Sequence, residues 1–284
     1  MRKLINMLSV SIKMALSQLK RWLCSLRVRI IFFFVSAQCF AQVCGFQNTL
    51  NRYGYSAYLL ESIFYQFYSG CNMPMMSVLF LVMIGDIPYQ MAQQEFFLIR
   101  CSRRKWMAAQ IMHCVLIAMA MILILLILTT GMLLPISEEG SGWSDDQRMS
   151  NCGSLPQTEI VPELIRQRFS PIAAICVAIL PMACFWLLML LMIMAFGMKG
   201  IPEVGILIYA SLLVLNITVL FEMIPFDVPF PLEYATLEGI VANQNVGNAL
   251  ELNSVLCGYG VVILIIILVL FRCADRCELS FRVR

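Results

Sequence analysis

Long stretches without charged side chains are the feature that most constrains this chain. From Trp106 to Leu134, for example, no Asp, Glu, Lys or Arg interrupts the sequence. A charged side chain at the centre of a bilayer costs about 2.5–3.5 kcal/mol on insertion scales. Stretches of about 20 apolar residues are therefore read as membrane-spanning helices. Charged residues make up only 13% of the chain, against about a quarter in a soluble domain. The sequence predicts an all-α integral membrane protein.

Six stretches of this kind occur, and polar or proline-containing segments separate them. Pro202 stands at the first position of the fifth, where proline is favoured in a helix. The polar, Tyr-rich segment that ends near Cys71 is predicted to be a loop, and residues 135–170 form the largest polar segment. We predict one six-span domain over residues 28–272, followed by a basic tail over 273–284. The predicted spans cover residues 28–46, 72–91, 106–134, 171–196, 202–221 and 255–271.

Residues 1–27 show a helical period of apolar side chains. The recurring positions are three or four apart: Ile5, Leu8, Ile12, Leu16, Leu19 and Leu23. Basic residues fall mostly on the other side, which is typical of a helix lying in the headgroup plane. A signal peptide is the alternative, but the segment is long and no clear small-x-small cleavage site follows. We predict an amphipathic interfacial helix anchored by Lys13, Lys20, Arg21 and Trp22.

Lysine and arginine are distributed unevenly between the predicted loops. If the N-terminus is cytoplasmic, all but four of the 20 Lys and Arg residues fall in cytoplasmic segments. The four exceptions are Arg52, Arg148, Arg166 and Arg168. Because positive residues favour the cytoplasmic side of short loops, we predict that both termini are cytoplasmic in a multi-pass protein of the cell membrane.

The loop between the second and third predicted spans carries the densest positive charge. Arg100–Trp106 reads RCSRRKW, with four basic residues in seven. It follows Glu95 and an apolar cluster from Phe96 to Ile99. A loop required only for topology could be short and featureless. The combination of an acid, an apolar cluster and a basic cluster predicts a short surface helix over residues 92–106 that docks a partner.

The stretch QQEFFLIRCSRRKWMAAQIM, from Gln93 to Met112, resembles the permease subunits of type-2 ABC transporters (the ABC-2 family), in particular small permeases of Gram-positive bacteria. The layout of the whole chain is also similar to that family. The resemblance implies that a separate ABC ATPase subunit hydrolyses ATP and docks on the loop. The docking residues it implies are Gln94, Glu95, Phe97, Arg100, Arg103, Arg104 and Trp106.

The same resemblance implies two permease subunits, identical or homologous, with two ATPase subunits, and export of a substrate. The chain departs from the family pattern in residues 135–170, because the outward loop after the third span is often short in these permeases. Residues 222–254 correspond to the place where family members often have a short external or re-entrant helix. The substrate is left open by the sequence.

The sequence offers little catalytic chemistry. It has no Walker phosphate loop, so ATP use requires another chain. His113 is the single histidine, which argues against a metalloprotease site with several ligands at fixed spacing. No Cys-x-x-Cys pair is present, and no basic soluble domain exists to bind nucleic acid. We predict no catalytic residue, no bound metal and no directly bound cofactor.

Polar side chains inside predicted spans are the candidates for a translocation path. These are Gln38, Gln42, Asp86 and Asn216. Structural roles compete with that interpretation: Asp86 can pair with a basic residue of the next loop, and Asn216 can bond a neighbouring helix. His113 is expected to be packed and hydrogen-bonded. A disulfide from Cys152 to Cys44 or Cys71 stays open.

Two other functions compete with a transport subunit. A membrane scaffold or sensor would use its acidic outward loops to bind a ligand. An ion-coupled carrier would normally need charges near the membrane midplane and internal repeats, and neither is visible in the sequence.

Overall fold

The computed structural model describes most of the chain. The described residues are 2–53, 57–68, 72–85, 102–138, 140, 142–143, 165, 168–220, 235–237, 240 and 252–276. Within these ranges the secondary structure is helical, apart from one isolated bridge between Tyr58 and Glu138. The predicted all-α class is therefore confirmed for the described part of the chain.

Eight helices have described bounds. They are α1 (Arg2–Leu23), α2 (Leu26–Tyr53), α3 (Leu59–Tyr68), α4 (Asn72–Ile84), α5 (Arg103–Leu133), α6 (Pro171–Met198), α7 (Pro202–Leu220) and α8 (Leu252–Arg276). Each predicted span overlaps one of the helices α2 and α4 to α8. The agreement follows from length and composition, because long uncharged apolar stretches satisfy their backbone hydrogen bonds most simply as helices.

Four of these helices are long and apolar enough to cross a membrane. The qualifying stretches are Leu26–Asn48, Arg103–Leu133, Pro171–Met198 and Leu252–Asp275. Helices α3 and α4 pass the same test only as a pair, bent by 73° in the manner of a broken span or a re-entrant loop. In α7 the apolar stretch Pro202–Leu215 is shorter. By length and composition, the described helices thus qualify as four spans, or five with the bent pair, and the six predicted spans are not confirmed.

The predicted loop between the first two spans is partly helix, and that prediction is wrong for Leu59–Tyr68. Helix α2 continues to Tyr53, and α3 then buries most of its residues, including Glu61 and Gln66. Polar and tyrosine side chains in this segment suggested exposure to water. They are instead enclosed because α3 packs against α5 and α6.

Helix α6 is the centre of the bundle and packs against α3, α5, α7 and α8. Its N-terminus is capped by Ser170, whose Oγ accepts a hydrogen bond from the Ala173 N–H at 3.4 Å. In its buried face, the Trp186 ring stacks on Phe80 of α4 with centroids 4.7 Å apart. The Trp186 indole N–H donates to Ser77 Oγ at 3.1 Å. This fully buried aromatic pair joins α6 to α4.

A tight turn at Lys199–Ile201 connects α6 to α7. Gly200 adopts a positive φ of 77°, which a side chain rarely tolerates. Helix α7 then runs back against α6 at close range. A Cβ on Gly205 would lie 2.9 Å from the Cα of Ile193, so the close approach requires glycine.

Interhelical contacts define two ends of the bundle. At the first, which we name the basic end, the start of α5 meets α1 and the end of α8. The Ser11 Oγ donates to the Lys105 carbonyl at 3.1 Å, and Arg104 pairs with Asp275. The end of α4 lies there as well, because a Cβ on Gly85 would be 3.3 Å from Nη1 of Arg27 at the start of α2.

The other end of the bundle, named the opposite end, joins the end of α5 to the start of α3 and of α6. The Glu138 N–H donates to the Ala57 carbonyl at 3.3 Å. The Trp143 indole N–H donates to the Phe169 carbonyl at 3.0 Å. Helix α6 therefore runs antiparallel to α5 and reaches the basic end at Lys199.

Among the described side chains, basic residues are concentrated on elements of the basic end, and Arg168 alone lies near the opposite end. The basic-end residues are Lys13, Lys20, Arg21, Arg27, Arg29, Arg103, Arg104, Lys105, Lys199 and Arg272.

Candidate functional site

The predicted docking loop falls largely outside the described residues. Gln94, Glu95, Phe97 and Arg100 lie there, as does Asp86. Arg103, Arg104 and Trp106 are described. They form the first turn of α5, which begins after Ser102 in an extended conformation.

In the first turn of α5, the charged side chains are exposed and the aromatic side chain is buried. Arg103 and Arg104 are exposed, whereas Trp106 is only 1% exposed and packs in the core. Trp106 therefore holds the helix in the bundle while the two guanidinium groups stay at the surface.

Helix α1 packs along α5 through one row of buried side chains. The buried positions are Ser11, Ala15, Gln18 and Trp22, which follow the helical period. Small residues in such a stripe allow two helices to approach closely. Trp22 is 1% exposed, so its ring contributes to this packing and does not extend outward as the predicted aromatic anchor would.

The predicted basic anchors of α1 and part of its predicted apolar face are on the protein surface. Lys13, Lys20 and Arg21 are exposed. Ile12, Leu16 and Leu23 of the predicted apolar face are also exposed, each by more than a third. An apolar stripe next to basic side chains is thus available to a membrane surface.

An ion pair connects the start of α5 to the end of α8. The Arg104 Nε donates to Asp275 Oδ1 at 3.1 Å, and Nη2 donates to Oδ2 at 2.9 Å. This parallel, two-bond geometry fixes the orientation of the guanidinium group as well as its position. Both side chains are exposed to a large extent, 71% and 43%, so the pair is open to water and to other charges.

A small cavity with a mixed polar and apolar lining lies where α3 and α4 are bent against each other. Its volume is about 30 Å³, which has room for about two water molecules, since one water requires about 10–15 Å³. The lining combines amides and hydroxyls with apolar side chains: Cys39, Gln42, Gln66, Phe67, Asn72, Met73, Met76, Leu125, Thr129, Met182, Ala235 and Thr236.

Two amide groups of this cavity are buried without a partner in the described part of the chain. They are Nε2 of Gln42 and Nε2 of Gln66. An N–H₂ group enclosed without an acceptor costs free energy, commonly about 1–3 kcal/mol. None of the described lining residues carries a charge at neutral pH, and these two amide groups are suited to water or another uncharged hydrogen-bond acceptor.

Of the four predicted path residues, the structure places one in this cavity. Gln42 lines it, and Gln38 is not among the lining residues. The side chain of Asn216 and the whole of Asp86 lie outside what the structure describes.

Several site residues were missed by reasoning from the sequence. Gln66, Asn72, Thr129 and Thr236 line the cavity, and Glu61 is fully buried in α3. The available signal was the pairing of Glu61 and Gln66 with bulky apolar residues in LLESIFYQFY. The polar and tyrosine side chains of the surrounding segment led to the prediction of a loop instead.

His113 is packed as predicted, with 3% of its surface exposed. Neither ring nitrogen has a hydrogen-bond partner among the described residues, so the predicted hydrogen bond is not found there. Cys44 is a free thiol, and both Cys71 and Cys152 lie outside the described ranges.

Comparisons with protein-family models, with curated proteins and with solved structures find no match to this chain.

Proposed function

We propose that this chain is the membrane-spanning subunit of an ABC transporter, which exports a substrate using ATP hydrolysed by a separate ATPase subunit. The observation that carries the proposal is the arrangement at the basic end. There, Arg103 and Arg104 stand exposed at the start of α5, beside α1 and the end of α8. Three elements that are distant in sequence thereby present one positively charged surface.

The proposed topology follows from the charges. Ten of the eleven described Lys and Arg side chains belong to elements of the basic end. Positive residues favour the cytoplasm, so the basic end faces the cytoplasm in the proposal, with both chain termini on that side. An ATPase in the cytoplasm then meets the surface that the arginines occupy.

Helix α5 provides a mechanical connection from that surface into the bundle. It is continuous from Arg103 to Leu133, about 46 Å at about 1.5 Å per residue. Leu125 and Thr129 of the same helix line the cavity, and the segment after its end is hydrogen-bonded to Ala57 through Glu138. A displacement of the first turn by an ATPase is therefore transmitted to the cavity wall and to the opposite end, in a two-state motion.

Charge reversal at the basic end tests docking directly. We expect the double variant Arg103→Glu, Arg104→Glu to lose the co-purifying ATPase in mild detergent while keeping its elution volume on gel filtration. Glu95→Arg, in the predicted docking loop, is expected to have the same effect.

Two controls separate docking from structural effects. Asp275→Asn breaks the ion pair with Arg104 but preserves the basic cluster, and Arg168→Glu reverses a charge near the opposite end. Both are expected to retain the ATPase. Unchanged co-purification in the Arg103/Arg104 variant would refute the proposal.

A further inference from the structure

A groove runs between α2 and α4, starting at the basic end. Its volume is about 570 Å³. Six of the seven described residues that line it are apolar, and the seventh is an arginine: Leu26, Arg27, Ile30, Ile31, Phe34, Leu79 and Val82.

The shape of the groove suits an extended hydrocarbon chain. Ile31 is buried and forms the floor, whereas Ile30, Phe34 and Val82 form walls that are each about half exposed. The α2 positions lie on one helical face and extend about 12 Å from Leu26 to Phe34, at about 1.5 Å per residue. Among the described lining residues, none beyond Arg27 is polar.

The one charged residue of the described lining lies at the end of the groove where α2 begins. The Arg27 guanidinium group lies beside the backbone of Gly85, where α4 ends. Exposed Lys20, Arg21 and Arg29 are close to it in sequence. A guanidinium group matches the geometry of a phosphate anion, so this end is complementary to a phospholipid headgroup.

We propose that the groove binds one anionic phospholipid, with its phosphate at Arg27 and an acyl chain along Ile30, Phe34 and Val82. The apolar length and the single basic end correspond to the two chemically different parts of such a lipid. The inference is independent of the transport function, because it requires only that α2 and α4 lie in a membrane.

Native mass spectrometry of the detergent-purified full chain tests the headgroup contact. The protein is incubated with phosphatidylglycerol or phosphatidylcholine of the same chain length. We expect the unaltered protein to prefer phosphatidylglycerol, and Arg27→Gln to reduce that preference about fivefold, the effect of one basic residue near an anionic surface.

Arg29→Gln is the matched control. It removes the same charge two residues further along α2, and the Arg29 side chain does not line the groove. It is expected to keep the preference. Equal losses in the Arg27 and Arg29 variants would overturn the proposal, since the preference would then reflect general surface charge.

The acyl contact is tested by filling the groove. Val82→Trp is expected to reduce retention of both lipids, whereas Val262→Trp, on an exposed position of α8 outside the groove, should not. Unchanged retention in Val82→Trp would overturn the proposal. Efficient disulfide cross-linking of two copies through Val82→Cys in the membrane would also overturn it, because a second chain would then occupy the groove.

Discussion

The basic end and the opposite end of the bundle are joined by different kinds of contact. At the basic end, the polar side-chain links between the described elements are a hydroxyl–carbonyl bond from Ser11 and the exposed ion pair of Arg104 with Asp275, in addition to the buried packing of Trp22 and Trp106. At the opposite end, backbone groups and aromatic rings are used. Glu138 bonds Ala57 through the main chain, and the Trp143 ring meets Phe64 edge to face at 5.5 Å.

This difference has a physical consequence for movement. Exposed ion pairs contribute little to stability and exchange easily with water and salt. A buried or half-buried aromatic cluster with backbone hydrogen bonds costs more to separate. The basic end is therefore suited to change partners, and the opposite end is suited to hold the helices together while it does so.

The largest expected effect concerns which side of the membrane each end occupies. Ser102→Cys at the basic end and Glu138→Cys at the opposite end both introduce thiols at exposed positions. With an impermeant maleimide added to intact cells, we expect labelling above the unaltered chain at position 138 and no gain at 102. A gain at 102 would place the basic end outside and would remove the basis for an ATPase partner there.

The next effect is a loss of stability at the opposite end. Trp143→Ala removes the hydrogen bond to Phe169 and the edge contact with Phe64. We expect the free energy of unfolding in detergent to fall by about 2–3 kcal/mol. Trp143→Phe keeps an aromatic ring and should lose about 1 kcal/mol. No loss in the alanine variant would mean that this end is not held by the tryptophan.

Glycine-to-alanine substitutions are expected to change the stability in opposite directions at the two ends of the bundle. Gly205→Ala, close to the basic end, places a methyl group 2.9 Å from the backbone of Ile193. We expect a loss of about 1–2 kcal/mol, within the range for overpacking. Gly131→Ala, near the opposite end, has open space around it and should gain about 0.5–1 kcal/mol from lower unfolded-state entropy. Thermal unfolding in detergent measures both, and equal signs would contradict the close approach of α6 and α7.

The smallest expected effect is at the ion pair. Asp275→Asn removes one charge of an exposed pair, so we expect a change in stability near the error of a denaturation experiment. Any difference from the unaltered protein should disappear at high salt, because exposed charges are screened. A large, salt-independent loss would show that the basic end is held as firmly as the opposite end.

Reasoning from the sequence succeeded where the physical constraint is local. The uncharged stretches of α5, α6 and α8 predict helices because a long apolar segment in a bilayer satisfies all its backbone hydrogen bonds within itself as a helix. It failed for α3, because local polarity suggested a loop for Leu59–Tyr68, while packing against α5 and α6 encloses Glu61 and Gln66.

The faces of the helices were not predictable in the same way. Lipid tails are as apolar as leucine, so hydrophobicity does not distinguish a surface that faces lipid from one that faces another helix. On α1, the leucine-rich stripe with Leu16 and Leu23 is exposed, and the buried stripe contains Ser11 and Gln18.

The sequence by itself determined that this protein is built from apolar helices and that its basic residues are gathered in few segments. Only the tertiary structure decided which helices meet, which brought Arg104 to Asp275 and placed Gln42 and Gln66 around one cavity. The physical reason is that helix formation depends on neighbours within one turn, whereas these contacts join residues that are far apart along the chain.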